Sequence, residues 1–262
     1  MSIGAIQGAS RRVTPHRRGG ASKRYLLVLS ALLCACAPNP TYPPAAPGAG
    51  KRPPPSERDF RAADLAKSDI DLVVEVNARE SLASARVIME KLYRRNPREW
   101  RKGDSPSMDV ALARAFDPRS KFLFTELGSA RGAEAIVLAL KSEYSGDRVF
   151  AFGVGLASMV LLAYNGKTEF YITDTLDPQK LYNSARNIEI AAWKLANARD
   201  ARGELLILSN EIAGDVRNLS FEREFGKMIG YQDVMAQIAA QRTNRLIRRV
   251  VQSLATAVFL PI

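Results

Sequence analysis

Val149-Phe150-Ala151-Phe152-Gly153-Val154-Gly155-Leu156-Ala157-Ser158-Met159-Val160-Leu161-Leu162-Ala163-Tyr164 is the longest apolar run of the chain, 16 residues without a charge. A helix that spans a bilayer needs about 20 such residues, and turn-forming, amphipathic sequence lies on both sides of this one. The run therefore reads as a helix at the centre of a protein core. Gly153 and Gly155 within it leave room for neighbouring helices to approach closely. Ala133–Tyr144 is its expected antiparallel partner, joined to it at Ser145-Gly146-Asp147.

Working outward, apolar residues at near-helical spacing (Ile70, Val73, Val74, Val76, Leu82, Val87, Ile88, Leu92) predict a helix over Asp69–Asn96, with an interruption at Asn77 and a stop at Asn96-Pro97. An earlier helix is expected to start at Ser56, with Glu57 and Asp59 in its first turn. After the loop Gly103-Asp104-Ser105-Pro106, a short helix is expected over Ser107–Phe116, ending before Asp117-Pro118. Asp177-Pro178 is an Asp cap with Pro in the first turn, and the helix it opens runs through Ala198 with Leu181, Ala185, Ile188, Ala192 and Leu195 on one face. Asn218–Ala240 and Asn244–Phe259 are expected to be the closing helices, stopped by Pro261. Phe170-Tyr171-Ile172-Thr173 is the most strand-like tetrad, too short to build a sheet by itself. The fold expected is mainly α: a single helical bundle or helix-hairpin array, with at most a minor short strand pair.

The N-terminal part is different. Met1–Arg24 holds six basic residues (Arg11, Arg12, Arg17, Arg18, Lys23, Arg24) and no acidic one, and Tyr25–Ala35 is then free of charge. A basic flank before an apolar run of this length has the form of a secretory signal. Arg17-Arg18 is followed by Gly19-Gly20, which does not suit a twin-arginine signal. The run ends in Leu33-Cys34-Ala35-Cys36, which resembles the lipobox of bacterial lipoproteins. That resemblance implies cleavage before Cys36, diacylglycerol on its sulfur and acylation of the new amine, so that the chain is held to the lipid bilayer by several acyl chains. Ala37, where lipoproteins retained on the inner membrane commonly carry Asp, implies the outer membrane, facing the periplasm. The organisation expected is a signal peptide over 1–35, the lipidated Cys36 with a tether over 36–55, and a helical periplasmic domain over 56–262. Eight of the 14 prolines fall within 37–55, so the tether is semi-rigid and reaches on the order of 50 Å.

Composition bounds the function. With 262 residues, 47% hydrophobic and 25% charged, the chain is neither globally disordered, collagen-like nor a disulfide scaffold. Removing the six leader cations from the 38 Lys+Arg leaves 32 against 27 Asp+Glu, so net charge falls from +11 to +5. Most of the basicity belongs to the leader, and a nucleic-acid partner is not expected. The single His is His16, and the cysteines are Cys34 and Cys36. If the leader is removed and Cys36 acylated, no imidazole or free thiol remains, and His- or Cys-dependent catalysis, zinc sites, haem ligation and disulfides are all unavailable. No cofactor, no metal site and no catalytic residue is expected.

Carboxylate chemistry is weighed at two places. Glu80-Ser81 resembles the Glu-Ser of lytic transglycosylases, in which the Glu is the general acid, but the downstream Gly-Leu-Met-Gln-type segment is missing. Asp174 and Asp177 lie close together, too few oxygen ligands for a divalent ion. Arg242, Arg245, Arg248 and Arg249 recur at three- and four-residue spacing, beside Leu246, Ile247, Val250, Val251 and Leu254. On a helix, Arg242, Arg245 and Arg249 share a face that can meet an anionic surface. Tyr182, Trp193 and Tyr231 are read as core aromatics or as the lining of a groove.

Leu92-Tyr93-Arg94-Arg95-Asn96-Pro97 resembles the end of a tetratricopeptide-type helix hairpin, although that repeat's Trp-Leu-Gly signature is missing. Helical lipoproteins of this kind include periplasmic accessory components of solute transporters. The expected function is a non-enzymatic, membrane-anchored scaffold that binds a periplasmic or envelope protein. A transport accessory with a ligand cavity between helices is the first alternative, and a carboxylate-dependent cell-wall hydrolase the second.

Overall fold

The computed structural model describes residues 66–103, 105–213, 216–250 and 252–262. The leader, Cys36, the Pro-rich tether and the helix start at Ser56 lie outside the described residues. Six α-helices follow in order: α1 (Asp69–Arg95), α2 (Met108–Ala115), α3 (Ala133–Ala139), α4 (Arg148–Ala163), α5 (Pro178–Asn197) and α6 (Ser220–Thr243). A two-stranded antiparallel ribbon, β1 (Glu211–Ala213) and β2 (Val216–Asn218), precedes α6 in the register Glu211↔Asn218, Ile212↔Arg217, Ala213↔Val216. The fold is mainly α, with one minor strand pair among the described residues.

The four long helices close a ring of contacts: α1 packs on α6, α6 on α5, α5 on α4, and α4 on α1, while α3 lies against α4. All but Leu161 and Leu162 of the 16 residues in α4 are buried. The apolar run is therefore the core of a bundle, and no helix among the described residues is long and apolar enough to cross a membrane. Leu181, Ala185, Ile188, Ala192 and Leu195 are all buried, as the spacing in α5 requires.

Local chemistry sets the helix starts. Ser68 and Asp71 form a capping box on α1, with the Asp71 side chain accepting from the Ser68 backbone N–H at 2.9 Å. Ser107, Asp147 and Asp177 cap α2, α4 and α5, and Pro178 occupies the first turn of α5. Gly226 and Gly230 of α6 face open space. Replacing Gly230 with Ala in this helix interior is expected to raise the unfolding free energy by about 0.5–1 kcal/mol, read as a higher urea midpoint at unchanged slope.

Four expectations are corrected. Helix α1 runs through Asn77 without interruption: the Asn77 side chain lies along the helix, donating to the Val73 carbonyl (2.8 Å), and packing of α1 on α6 and α4 carries the helix past it. Helix α3 ends at Ala139, not Tyr144, where the carbonyls turn toward a buried cation: the Arg148 guanidinium donates to Ala139 O (2.8 Å), Lys141 O (2.6 Å) and Ser142 O (3.1 Å). The segment Phe170-Tyr171-Ile172-Thr173 is not a strand. Its successive amides go to unrelated acceptors, Phe170 N to Glu75 Oε1 (2.9 Å), Tyr171 N to Asp174 Oδ2 (3.1 Å) and Ile172 N to Ala66 O (3.0 Å), so no ladder forms.

The fourth correction concerns the last 18 residues. Asn244 ends α6 in the left-handed conformation (φ 52°), and no helix follows among the described residues of Asn244–Phe259. The chain instead forms a loop whose two legs are pinned to α5. On the outgoing leg, Arg248 N donates to Gln179 Oε1 (2.8 Å), Gln179 Nε2 donates to Arg248 O (3.1 Å), and Val250 N donates to the Tyr182 hydroxyl (3.2 Å). On the returning leg, Asn187 pairs both ways with Leu260 (2.6 and 2.8 Å) and Asn183 Nδ2 donates to Pro261 O (2.8 Å). The Gln252 side chain closes the loop between them by accepting from Val258 N at 3.0 Å.

Candidate functional site

The arginines singled out in the sequence no longer share a helical face. Arg242, in the last turn of α6, is a structural tie: its guanidinium donates to Asp71 Oδ1 at 3.1 Å and to Ile172 O at 3.2 Å, joining α6 to the start of α1. Asp71 is held below the usual carboxylate range; burial opposes this, and the Ser68 hydrogen bonds with the Arg242 charge outweigh it. Arg245 and Arg249 stand on the C-terminal loop and line an open groove of about 930 Å³ between α5, α6 and that loop.

The floor and walls of the groove are fixed from α5 and α6. Arg186 pairs with Asp233 (2.8 Å) and Glu189 (3.1 Å), and its guanidinium lies 5.1 Å from the centre of the Tyr182 ring. Its charge is therefore engaged. Arg245, Arg248 and Arg249 make no ion pair with any described residue. Leu246 and Ile247 add apolar surface beside these cations. Tyr182 does belong to the groove, as its sequence reading allowed. Trp193 lines a smaller, separate groove of about 310 Å³ between α5 and α6.

The carboxylates weighed in the sequence do not converge. Glu80 is exposed on α1 beside Arg79 (3.8 Å), whereas Ser81 is fully buried and accepts from Gln232 Nε2 at 3.1 Å. Asp174 pairs with Lys167 and accepts from Tyr171 N, and the Lys167 hydrogen bond holds its carboxyl below the ordinary value. Asp177 is the cap of α5. Among the described residues no group of three or more metal-binding side chains comes together.

One carboxylate missed in the sequence has an unusual setting. Asp147, only 8% exposed, accepts from Phe150 N and from the Tyr93 hydroxyl, each at 2.8 Å. Burial, reinforced by the negative charge of nearby Glu99, pushes its carboxyl up to about 6 against these hydrogen bonds. Glu99 in turn accepts from Arg148 N at 2.8 Å and pairs with Lys102 at 2.6 Å. Tyr93 is raised as well, by burial and by Asp147. Asp147 closes the first turn of α4 and ties it to α1, a structural task that accounts for all of its contacts.

The signal that was open to sequence reading is a ladder of amides. Gln179, Asn183 and Asn187 stand four residues apart, so they lie on one face of α5. Side-chain amides repeated along a helix interior serve a backbone that needs donors and acceptors, and here that backbone is the C-terminal loop. Set against known protein families, curated proteins and solved structures, the chain has no match.

Proposed function

We propose that this protein is an envelope lipoprotein, anchored through acylated Cys36 to the outer membrane and facing the periplasm, whose helical body acts as a non-enzymatic scaffold for a periplasmic or envelope protein. The observation that carries this reading is the sequence Leu33-Cys34-Ala35-Cys36 after a basic, then apolar, leader and before a Pro-rich tether. The body suits it. An open groove is lined by α5, α6 and the C-terminal loop, and Glu80, Asp174 and Asp177 stand in separate surroundings, each with a local partner. A rigid bundle on a long spacer presents its surface to a partner some distance from the bilayer.

Intact mass and membrane fractionation of the native protein beside Cys36→Ser test this reading. The native chain is expected to be acylated and to fractionate with the outer membrane, and the variant to be unacylated and mislocalised. An unprocessed or soluble native chain overturns the anchor and returns His16 and both cysteines to the chemistry available. Affinity capture from native membranes, with anchor and tether intact, then tests the scaffold: repeated recovery of no partner overturns it.

A further inference from the structure

The C-terminal loop combines three properties. Its charge is of one sign: no acidic residue follows Asp233, while Arg242, Arg245, Arg248 and Arg249 do. Arg242 is engaged with Asp71, and the other three guanidinium groups are exposed without an ion pair among the described residues. Second, the two most exposed large apolar side chains among the described residues both lie on it, Leu246 at 96% and Val258 at 68%. A lone exposed leucine is ordinary, but two such residues on a single loop with three free cations form an amphipathic surface. Third, the loop backbone at Arg248, Val250, Val258, Leu260 and Pro261 is satisfied from within the protein, by Gln179, Tyr182, Gln252, Asn187 and Asn183. Backbone paired in this way can approach a medium of low polarity without leaving those N–H and C=O groups stranded.

We propose that this loop is a membrane-contact element for an anionic phospholipid surface. Arg245, Arg248 and Arg249 engage headgroup phosphates, and Leu246 and Val258 enter the boundary between headgroups and acyl chains. The groove beside Arg245 and Arg249, walled by Leu246 and Ile247, is amphipathic in the same sense and seats a headgroup. Aliphatic side chains interspersed with arginines that have no ion pair among the described residues fit this partner better than the alternatives. Protein hot spots favour large aromatics beside arginine, and single-stranded nucleic acids are met by stacking rings. Beyond Tyr231 in the sequence the one aromatic is Phe259, half-buried against the core, and Tyr182 in the groove wall is already engaged, its ring under Arg186 and its hydroxyl accepting from Val250 N. The inference rests on the anchoring reading only for which membrane is met. The contact itself is a property of the unit Asp59–Ile262, which holds every core residue among those described and lacks both Cys36 and the basic leader.

The experiment is co-flotation of residues 59–262 with vesicles of pure phosphatidylcholine and with vesicles containing phosphatidylglycerol, at low and at physiological salt. Binding to the anionic vesicles alone, weakened by salt, is expected. The triple variant Arg245→Glu, Arg248→Glu, Arg249→Glu is expected to lower partitioning by about a hundredfold or more, since each basic residue near such a surface contributes close to a factor of five. A charge-matched control, Arg98→Glu, Arg131→Glu, Arg223→Glu, changes three exposed arginines elsewhere and is expected to lose far less. Leu246→Ser with Val258→Ser, leaving every charge in place, is expected to weaken binding to the anionic vesicles as well. Unchanged far-UV dichroism and melting temperature establish that each variant is folded. Equal binding to phosphatidylcholine, an undiminished triple variant, or an equal loss in the control overturns the proposal. Indifference to vesicles with arginine-dependent binding of polyglutamate overturns it in favour of an acidic protein surface. None of these outcomes bears on acylation of Cys36, which this unit does not contain.

Discussion

Gly155→Val is expected to lower the unfolding free energy by about 3 kcal/mol. A Cβ at residue 155 stands 2.6 Å from Ile136 Cγ1 and 2.9 Å from both Gly132 O and Ile136 N. Two of those three atoms are backbone, in the first turn of α3. The turn cannot retreat easily. Gly132 adopts φ 55°, ψ −131°, a conformation that L side chains avoid; its N–H is held by Ser158 Oγ at 2.8 Å, and its carbonyl accepts from Ile136 N at 3.2 Å. Overpacking of this kind typically costs about 1–3 kcal/mol, and a β-branched side chain adds volume beyond the Cβ. Gly153→Ala is the informative comparison, because its Cβ meets side-chain atoms only, Met89 Sδ at 2.5 Å, Cγ at 2.8 Å and Cβ at 3.1 Å, and no backbone. An unbranched Met89 side chain can repack to relieve part of that clash, and gain in helix propensity offsets part of the remainder. Urea denaturation is expected to rank Gly155→Val below Gly155→Ala, and Gly155→Ala below Gly153→Ala. If Gly155→Val is no less stable than Gly153→Ala, α3 is not pinned against α4 as described.

The close approach at Gly155 was legible in the sequence because it depends on local facts: an apolar run too short for a membrane, with glycines inside it. The same holds for α2 and α5, whose starts are set by Ser107 and Asp177 within two or three residues of the groups they cap. The failures have the opposite character. Phe170-Tyr171-Ile172-Thr173 has residues that favour strands, but a strand exists only if a partner runs alongside, and here the acceptors are Glu75, Asp174 and the carbonyl of Ala66. Asn244–Phe259 has a helical period yet is not helical among its described residues, because Gln179 and Tyr182 offer the backbone of Arg248 and Val250 another set of partners from about 70 residues away, and Asn183 and Asn187 hold the chain just beyond it at Leu260 and Pro261. Periodicity reports which side chains can share a face, and it says nothing about competing hydrogen bonds from elsewhere in the chain.

That competition also explains what happened to the candidate site. The spacing of Arg242, Arg245 and Arg249 suggested one basic helical face; the helix ends at Thr243, so Arg242 turns to Asp71 while Arg245 and Arg249 remain on the loop. The residue types were informative and the geometry was not. Asp147 shows the converse. In the sequence it belongs to the joining turn Ser145-Gly146-Asp147, and only the structure reveals Tyr93 and Glu99 brought beside it from 54 and 48 positions away in the chain.

Asp147→Asn is expected to remove a component of stability that changes with pH. The carboxyl sits at about 6 in the folded protein against an ordinary 3.8, raised chiefly by burial. Between those values the native state holds a proton that the unfolded chain has released, so stability falls as pH rises through that window. Two units correspond to about 3 kcal/mol, felt in full above pH 6 and absent below about pH 4. Asp71, Asp174, Asp117 and Asp200 are shifted the other way, each held below its ordinary value, and favour the native state as pH rises through the acid range. The pH profile of the native protein by itself therefore mixes opposite slopes. The difference between native and variant separates them, since the other carboxylates are common to both. Asn suits the site: its carbonyl can still accept from Phe150 N, and its amide can donate to the Tyr93 oxygen. Urea unfolding from pH 4 to 8 is expected to show the variant gaining on the native protein by up to about 3 kcal/mol as pH rises, with most of the gain between pH 4 and 6. A constant difference across that range contradicts the raised carboxyl. A native protein that gains on the variant over the same interval reverses its sign, and would mean that the hydrogen bonds from Phe150 and Tyr93 outweigh the burial that desolvates Asp147.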